Sequence, residues 1–258
     1  MFQFLTYELN NGIATITLNR PDVYNALNDE ITFELQDALK LVRKDAAVRA
    51  VVLTGAGKAF CSGQDLKASA GKKRSFKDSL DKRYNPIIRL MRELPKPIIC
   101  KLNGVAAGAG CSIALASDVI IASESAQLIE VFINIGLVPD SGSSYFLPRM
   151  IGSLRAFEMA TTARRIDGKL AAEWGLVNQA VPADQLDETV NQIAQQYANA
   201  PTKAIGMIKK MFNKSGTASL DQMLEYEAYC QEIAGSSDDY KEGVASFLEK
   251  RKPAFTGN

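Results

Sequence analysis

The sequence predicts an α/β fold that ends in a helical C-terminal region. Short apolar runs at residues 50–53, 98–100 and 119–121 are separated from one another by helical or glycine-rich segments. Unbroken apolar runs of this length belong to strands that are covered on both faces, and their alternation with helices is typical of an α/β core. After about Gly152 helical patterns dominate, so the chain is expected to be α/β early and helical late.

The first elements are predicted from local patterns. Residues 7–18 alternate between apolar and polar side chains on either side of Gly12, which indicates an opening hairpin. Residues 20–22 then form a turn. Asn28 is expected to cap a helix that runs to about Lys44, because apolar residues recur after it at helical spacing.

Later elements are predicted in the same way. Residues 68–82 are polar and poor in large apolar side chains, so they predict a mobile loop or the exposed start of a helix. Residues 176–177 are the one strand-like run expected after Gly152. Helical patterns cover residues 154–162, 169–174, 185–200, 203–212 and 219–234.

The charge balance and the absence of histidine limit the classes of function. The 258 residues carry 30 basic and 29 acidic groups, a net charge of +1, so no long-range field would attract nucleic acid or an anionic membrane. Histidine is the usual general base at neutral pH and the commonest metal ligand, and the sequence contains none. The composition therefore argues against triad hydrolases and most zinc enzymes, and no metal site is expected.

The cysteines and the N-terminal sequence indicate a cytoplasmic protein. The cysteines lie far apart with no CxxC pair, in a chain too long to need disulfides for stability, so they are expected to be reduced thiols. Residues 1–7 lack the basic lead, apolar run and cleavage site of a signal peptide. No window approaches the length of a membrane span.

Two glycine-containing segments resemble catalytic motifs but fail on closer comparison. Residues 54–60 follow a strand, yet Phe60 stands where a dinucleotide fingerprint needs its third glycine, and no Ser or Thr follows Lys58 as a phosphate loop requires. A tight turn at the end of the strand is the preferred interpretation. Ser141 lies in a pattern like a nucleophile elbow, but the flanking glycines are absent and no histidine could activate it.

Two other glycine-containing turns, residues 60–66 and 103–111, follow apolar strands and favour a ligand site. Their small residues would let peptide N–H groups approach a ligand closely. One N–H from each turn could form an oxyanion hole, which stabilises a carbonyl oxygen as it gains negative charge. The alternative is that the glycines only allow close packing of backbone in a core.

Residues 62–66 and 103–110 resemble the two oxyanion-hole segments of the crotonase (enoyl-CoA hydratase/isomerase) superfamily. The resemblance extends over the chain through residues 18–21, 94–97, 136–140 and 247–251. Each motif alone is a weak indication of the family, but all of them in this order are a strong one. It implies a spiral of repeated ββα units over residues 1–195. It also implies a C-terminal helical region, residues 196–258, that makes the contacts of a homotrimer or dimer of trimers and closes the CoA site.

The resemblance also implies how a CoA thioester is bound. The thioester oxygen would be held by the peptide N–H groups of Gln64 and Ala109. CoA is then part of the substrate, and no separate cofactor is expected. Phe247 and Lys250 would reach the CoA of another subunit, and the alternative for Lys250 is a solvated basic tail. The CoA itself would lie along the first turn, formed by Ser62, Gly63, Gln64, Asp65, Leu66 and Lys67.

The acid–base residues decide which reaction the resemblance implies. Hydratases of the superfamily use two glutamates, and the matching positions here hold Ser112 and Phe132, neither of which can take a proton from water. Glu130 lies two residues before the second position, and only a slip of register would restore it. Asp140 stands where several isomerases carry their catalytic carboxylate. The alternative for Asp140 is a helix cap or turn residue.

Within the superfamily the chain most resembles the 1,2-epoxyphenylacetyl-CoA isomerases of phenylacetate catabolism, through residues 84–97, 138–142 and 239–244. Those enzymes rearrange a ring epoxide to an oxepin-CoA and shift 3-enoyl double bonds to the 2 position. The resemblance therefore implies an acyl-CoA isomerase. An enoyl-CoA hydratase and a non-catalytic CoA-thioester-binding protein are the alternatives. Asp65 and Asp118 are expected to be hydrogen-bonding turn residues.

Overall fold

Two β-sheets form the framework of the protein in the computed structural model, which describes residues 2–69, 71 and 75–258. The strands in that part of the chain are β1 (Leu5–Asn10), β2 (Ile13–Leu18), β3 (Ala50–Gly55), β4 (Ala59–Cys61), β5 (Ile98–Leu102), β6 (Val105–Ala107), β7 (Val119–Ser123), β8 (Gln127–Ile129), β9 (Ile166–Asp167) and β10 (Gln179–Val181). One sheet has the order β1-β2-β3-β5-β7-β10 and the other β4-β6-β8-β9. After the opening hairpin, strands β3, β5 and β7 of the first sheet are each followed by a short strand of the second sheet, β4, β6 and β8 respectively. This repeat confirms the predicted spiral.

The helices lie between the turns of this spiral and after it. In the same described residues they are α1 (Asp29–Lys44), α2 (Leu66–Ser69), α3 (Phe76–Ser79), α4 (Asn85–Glu93), α5 (Ala109–Leu115), α6 (Ser143–Thr162), α7 (Gly168–Trp174), α8 (Leu186–Ala198), α9 (Thr202–Ser215), α10 (Leu220–Gly235) and α11 (Asp238–Leu248). A π-helical segment, Leu80–Tyr84, leads into α4. Short 3-10 helices occupy Pro21–Val23, Val131–Ile135 and Ala183–Gln185.

The predicted hairpin and first helix are confirmed. Strands β1 and β2 pair antiparallel, with Leu5 opposite Leu18. The side chain of Asn28 accepts a hydrogen bond of 3.0 Å from the peptide N–H of Ile31, so it caps α1 as expected. Every residue of β3 is buried, and the strand lies between β2 and β5 in the sheet.

The apolar core lies on both faces of the six-stranded sheet. Val51 and Leu53 of β3 belong to a large cluster with α1, α4 and α5. Val52 belongs to a second cluster, where α8 contributes Val190 and Ala194. Because alternate residues of a strand point to opposite faces, one apolar run supplies both clusters. The predicted boundary after residue 195 falls in the last turn of α8.

Several elements differ from the sequence-based expectation. Helix α6 begins 11 residues before the predicted start at 154, and a non-helical residue, Gly152 (φ 75°, ψ 161°), interrupts it. The strand expected at residues 176–177 is a turn that precedes β10. Residues 68–82, expected to be a mobile loop or the exposed start of a helix, contain α3 and the first part of the π-helical segment, which agrees with the second alternative. Residues 70 and 72–74 of that prediction lie outside the described residues. In the part of the chain that the structure describes, no helix is both long and apolar enough to span a membrane.

Candidate active site

The first glycine-containing turn holds Gln64 against the chain that precedes α1. Gly63 has φ 92°, a conformation that favours glycine. Its carbonyl accepts a hydrogen bond of 2.7 Å from the N–H of Leu27, and the N–H of Asp65 donates to the carbonyl of Leu27 at 3.0 Å. These bonds form a parallel bridge between Leu27 and Gln64, so the N–H of Gln64 itself is directed to the opposite side of the chain.

The second turn places the N-terminus of α5 beside the first. Gly108, at φ 52° and ψ −125°, precedes the helix, and its N–H donates to the carbonyl of Ile129 at 2.9 Å. Ala109 is the first helical residue, where a peptide N–H has no acceptor within the helix. A Cβ on Gly63 would lie 3.6 Å from the nitrogen of Ala109. The turns that carry Gln64 and Ala109 are therefore in contact.

Close packing of backbone is what brings these peptide groups together. A Cβ on Gly63 would lie 2.7 Å from the carbonyl oxygen of Ala107, and one on Gly110 would lie 2.2 Å from that of Cys61. No side chain fits at these distances. These distances support the close-packing interpretation of the glycines. They are compatible with an oxyanion hole, because the same packing brings the turns of Gln64 and Ala109 into contact.

The two aspartates expected to be turn residues are used structurally. Asp65 pairs with Arg20 at 3.0 Å and accepts a hydrogen bond of 3.0 Å from the N–H of Ala68, which with other contacts lowers the pKa of its carboxyl. Asp118 pairs with Arg92 at 3.0 Å and with Lys209 at 2.6 Å. Both carboxylates are held in ion pairs, which agrees with the turn-residue interpretation.

Asp140 lies in a tight loop between the 3-10 helix Val131–Ile135 and α6. The next residues, Ser141 and Gly142, have φ 52° and 90°. The carbonyl of Asp140 accepts hydrogen bonds from the N–H of Ser143 at 3.1 Å and from Oγ of Ser112 at 3.0 Å. Its carboxylate Oδ1 accepts a hydrogen bond of 2.8 Å from the Ser141 hydroxyl. The loop therefore fixes the backbone of Asp140 and leaves the side chain half-buried.

The surroundings of Asp140 suit a carboxylate that exchanges protons. Burial raises the pKa of its carboxyl, and the hydrogen bond from Ser141 opposes that shift. A base is most effective when its pKa approaches the working pH, so the direction of the shift is favourable. Ser112, which contacts the Asp140 loop, follows Ala109 by about one turn of α5, and a turn rises about 5.4 Å. Asp140 and the paired turns thus belong to one region.

The positions that match the hydratase glutamates hold residues without a carboxylate. Ser112 is buried, and its hydroxyl contacts the Asp140 loop. Phe132 is also buried, and its ring would lie 3.7 Å from a Cβ on Gly108. The phenyl ring therefore covers the glycine that precedes Ala109.

Glu130, which directly follows β8, is a fully buried carboxyl group. Its Oε1 accepts a hydrogen bond of 2.9 Å from Oγ of Ser143, and its Oε2 has no partner of standard hydrogen-bond geometry in the part of the chain that the structure describes. The pKa of Glu130 is raised to about 7, mainly by burial. The contacts with Ser143 and the Cys111 thiol oppose this shift, and the charge of Asp140 adds to it. On the sequence alone, Glu130 would take a catalytic position only if the alignment shifted by two residues. Nothing in its spacing indicates Ser143 as a partner.

The raised pKa of Glu130 predicts a pH-dependent stability. Its ordinary value is 4.5 and its value in the fold is about 7, so the folded state binds this proton more tightly than the unfolded chain. Stability is therefore lost as the pH rises from 4.5 through 7, by about 3 kcal/mol from this group. We expect Glu130→Gln to remove that loss, measured by urea unfolding at pH 5 and pH 8 at one protein concentration. Parallel changes in the variant and the natural protein would contradict this prediction.

The residues expected to bind CoA fall into two separate groups within one chain. In the first turn, the N–H of Ser62 donates to the carbonyl of Tyr24 at 2.9 Å, and Leu66 and Lys67 are exposed at the start of α2. Phe247 is 82% exposed at the end of α11 and borders a cleft of about 700 Å³ that no residue of 62–67 lines. Lys250 is exposed nearby. The expected contact of Phe247 and Lys250 with the CoA of another subunit stays a prediction.

A second cleft, of about 580 Å³, opens beside the Asp140 loop. Gly142 forms part of its wall, two residues after Asp140. Its lining combines aromatic and basic side chains from α4, α6, α9 and α10, among them Ile88, Arg92, Tyr145, Phe146, Lys214 and Tyr226. The cleft is large enough for a small ring and carries aromatic surface against which a ring would pack.

The chain is similar in sequence and fold to proteins named as enoyl-CoA hydratases and isomerases. Residues 8–258 match the family described as enoyl-CoA hydratase/isomerase. The chain is 42% identical to the 1,2-epoxyphenylacetyl-CoA isomerase of Escherichia coli K12, with 100% of each chain covered. It is also 42% identical to a protein of Rhodobacter capsulatus named probable enoyl-CoA hydratase, with 99% of each covered. The crystal structure of an enoyl-CoA hydratase from Bacillus anthracis superposes with a TM-score of 0.95 at 34% identity, covering 99% of this chain and 100% of that one.

Proposed function

The chain belongs to the enoyl-CoA hydratase/isomerase family, and we propose that within this family it is an acyl-CoA isomerase with Asp140 as its acid–base group. One observation carries the proposal. A half-buried carboxylate of raised pKa lies in a loop tied to α5, the helix whose first N–H meets the Gln64 turn. In this proposal Asp140 is the proton acceptor, and the N–H groups of Gln64 and Ala109 are the two peptide donors.

The proposed chemistry needs only these groups. The N–H groups of Gln64 and Ala109 hold the thioester oxygen and stabilise the negative charge that it gains. The Asp140 carboxylate removes a proton from the α carbon of a 3-enoyl thioester, and the electron pair of that C–H bond forms the enolate. The protonated Asp140 then returns the proton to the γ carbon as the double bond shifts to the 2 position. No water is consumed, and the carboxylate is regenerated.

Hydration is the competing reaction, and the names of relatives include hydratases. Addition of water requires groups that place and activate the water molecule, and Ser112 and Phe132 carry no carboxylate where hydratases of the family have theirs. Glu130 is fully buried behind Ser143. These observations support isomerisation over hydration.

One assay separates the reactions. The purified protein is incubated in water with a 3-enoyl-CoA and, separately, with a 2-enoyl-CoA, and the absorbance of the conjugated thioester is followed. Isomerisation raises the absorbance with the 3-enoyl substrate, whereas hydration lowers it with the 2-enoyl substrate. A fall with the 2-enoyl substrate and no rise with the 3-enoyl substrate would overturn the isomerase proposal. No change with either, together with no turnover of 1,2-epoxyphenylacetyl-CoA, would favour a non-catalytic CoA-thioester-binding protein.

The acyl group that we propose is a 1,2-epoxyphenylacetyl group, with 3-enoyl groups as further substrates. The similarity to the Escherichia coli isomerase supports this choice. The cleft bordered by Gly142 supports it as well, because Tyr145, Phe146 and Tyr226 offer aromatic surface to a ring. The CoA portion would lie along residues 62–67. Side-by-side turnover of the epoxide and a 3-enoyl-CoA ranks the two substrates.

We further propose that the protein assembles as a homotrimer or dimer of trimers and acts in the cytoplasm. Large apolar side chains are exposed along the C-terminal helices of the described chain, among them Phe212, Leu220, Leu224, Tyr229, Phe247 and Leu248. All four cysteines are buried and form no disulfide, which supports a reducing compartment.

The assembly is tested by its mass. Light scattering is expected to give three or six times the chain mass of 28.1 kDa, since association would cover the apolar surface of the C-terminal helices. A monomer at micromolar concentration would contradict the proposed assembly.

A further inference from the structure

We propose that Glu130 is a positioning residue for Asp140, acting through a chain of two hydroxyl groups that reports the protonation of Glu130 to the Asp140 loop. This inference rests on the proposed function for its effect on turnover. The chain itself rests on geometry alone. It joins three segments that are distant in sequence: the end of β8, the first residue of α6, and α5.

Short contacts connect the groups without a gap. Oγ of Ser143 lies 2.9 Å from Oε1 of Glu130. Oγ of Ser112 lies 2.8 Å from Oγ of Ser143 and 3.0 Å from the carbonyl oxygen of Asp140. Ser112, Ser143 and Glu130 are all buried, so no bulk water competes for these bonds.

The number of protons fixes the direction of the chain. Each serine hydroxyl donates one hydrogen bond. When Glu130 is ionised, its carboxylate only accepts, so the proton of Ser143 is directed to Oε1. Ser112 then donates across its shortest contact, 2.8 Å to Oγ of Ser143. In this state the hydroxyl of Ser112 does not hold the Asp140 carbonyl.

Protonation of Glu130 reverses both hydroxyl groups. The carboxylic acid donates to Oγ of Ser143, and Ser143 donates to Oγ of Ser112. The proton of Ser112 must then go to a carbonyl, and that of Asp140 at 3.0 Å is closer than that of Gly108 at 3.2 Å. The Asp140 loop therefore gains an anchor when Glu130 takes up a proton.

The groups around Glu130 place this change near neutral pH. Among described residues, the titratable groups that face its carboxyl are the Cys111 thiol of α5 and Asp140. Burial and a coulombic interaction with Glu130 raise the pKa of Cys111 well above its usual range, so the thiol stays neutral. Glu130, with its pKa raised to about 7, is then the carboxyl joined to the two hydroxyl groups that changes state there. Loss of one anchoring hydrogen bond corresponds to about a fivefold change in turnover if the anchor orients Asp140 for proton transfer.

A carbonyl signal tests the chain without using activity. Aspartate followed by serine occurs in the sequence only at 78–79 and 140–141. Labelling with 1-¹³C aspartate and ¹⁵N serine therefore gives NMR correlations for these two peptide bonds alone. The carbonyl of Asp140 is expected to shift between pH 6 and pH 8 with a midpoint near 7, while the exposed Asp78 reference stays constant over that interval.

Variants assign the shift to the chain. Glu130→Gln should abolish the shift, because the amide does not titrate. Ser112→Ala should also abolish it, because it removes the hydroxyl that connects Ser143 to the Asp140 carbonyl. Any effect of the Asp140 carboxyl itself persists in Glu130→Gln and is subtracted. Ser117→Ala removes another buried hydroxyl that follows α5 and should leave the shift unchanged. An Asp140 carbonyl that does not titrate, or that titrates equally in Glu130→Gln, would overturn the proposal.

Turnover then gives the functional consequence. Relative to Glu130→Gln, whose pH profile keeps any effect of the Asp140 carboxyl itself, the natural protein should lose about fivefold in isomerase kcat from pH 6 to pH 8. If the Asp140 carbonyl signal shifts with pH but the protein has no isomerase activity, the proposed function is rejected and the chain of hydroxyl groups stands. If isomerase activity is full but the Asp140 carbonyl signal does not shift with pH, the chain of hydroxyl groups is rejected and the proposed function stands.

Discussion

Replacement of Asp140 by asparagine is expected to lower isomerase turnover by about two to four orders of magnitude while CoA-thioester binding persists. Asparagine keeps the shape of the side chain and can still accept the hydrogen bond from Ser141, so the loop should hold. It cannot accept the α proton. Because the sequence contains no histidine, no imidazole nearby can take over the role. Steady-state turnover with a 3-enoyl-CoA and calorimetric binding of a saturated acyl-CoA measure the two effects separately.

Glu130→Gln provides the comparison for this experiment. It also replaces a carboxyl by an amide of similar shape, but the group is fully buried behind Ser143, so its removal should change turnover only several-fold. If Asp140→Asn were near normal and Glu130→Gln inactive, the register would be wrong and hydration would regain support. If neither mattered, Asp140 would be a turn residue and the isomerase proposal would fail.

The second large effect is expected at the proposed oxyanion hole. Ala109→Pro removes one peptide N–H and should lower turnover by about a hundredfold or more. Proline is tolerated at the first position of a helix, and Ala109 holds that position in α5, so the fold should survive. Ala109→Gly keeps the N–H and is the matched control. Circular dichroism checks folding, and unchanged turnover in the folded proline variant would remove Ala109 from the site.

Elements with a strong local pattern could be predicted from the sequence. The hairpin alternates around Gly12, Asn28 offers a capping side chain, and the apolar spacing of α1 shows its buried face. The apolar run at residues 50–53 of β3 indicated a strand covered on both faces, and the two clusters confirm it. In each case the information lies within about a dozen residues.

Other features depend on partners that are remote in sequence. Strands β4, β6 and β8 have three residues each, too few for a period, and they form because their neighbours in the spiral pair with them. The start of α6 was missed because Pro148 and Gly152 within it are signals against a helix. The Glu130 contacts also come from tertiary packing. The candidate oxyanion segments could be identified from the sequence. Their contact across Gly63 depends on tertiary packing and is seen only in the structure.

The close approach of Gly63 and Gly110 to neighbouring carbonyls has an evolutionary consequence. The donors that we propose belong to the backbone and do not depend on the side chain of the residue that carries them, so positions 64 and 109 can change with little effect on carbonyl activation. Substitutions are instead not tolerated at the two glycines, because a Cβ would lie 2.7 Å from a carbonyl oxygen at Gly63 and 2.2 Å from one at Gly110. The carboxylates lie on other segments and can change independently. A lineage built on such a hole can exchange one reaction for another by altering a few acidic residues, while the part that activates the substrate is inherited intact.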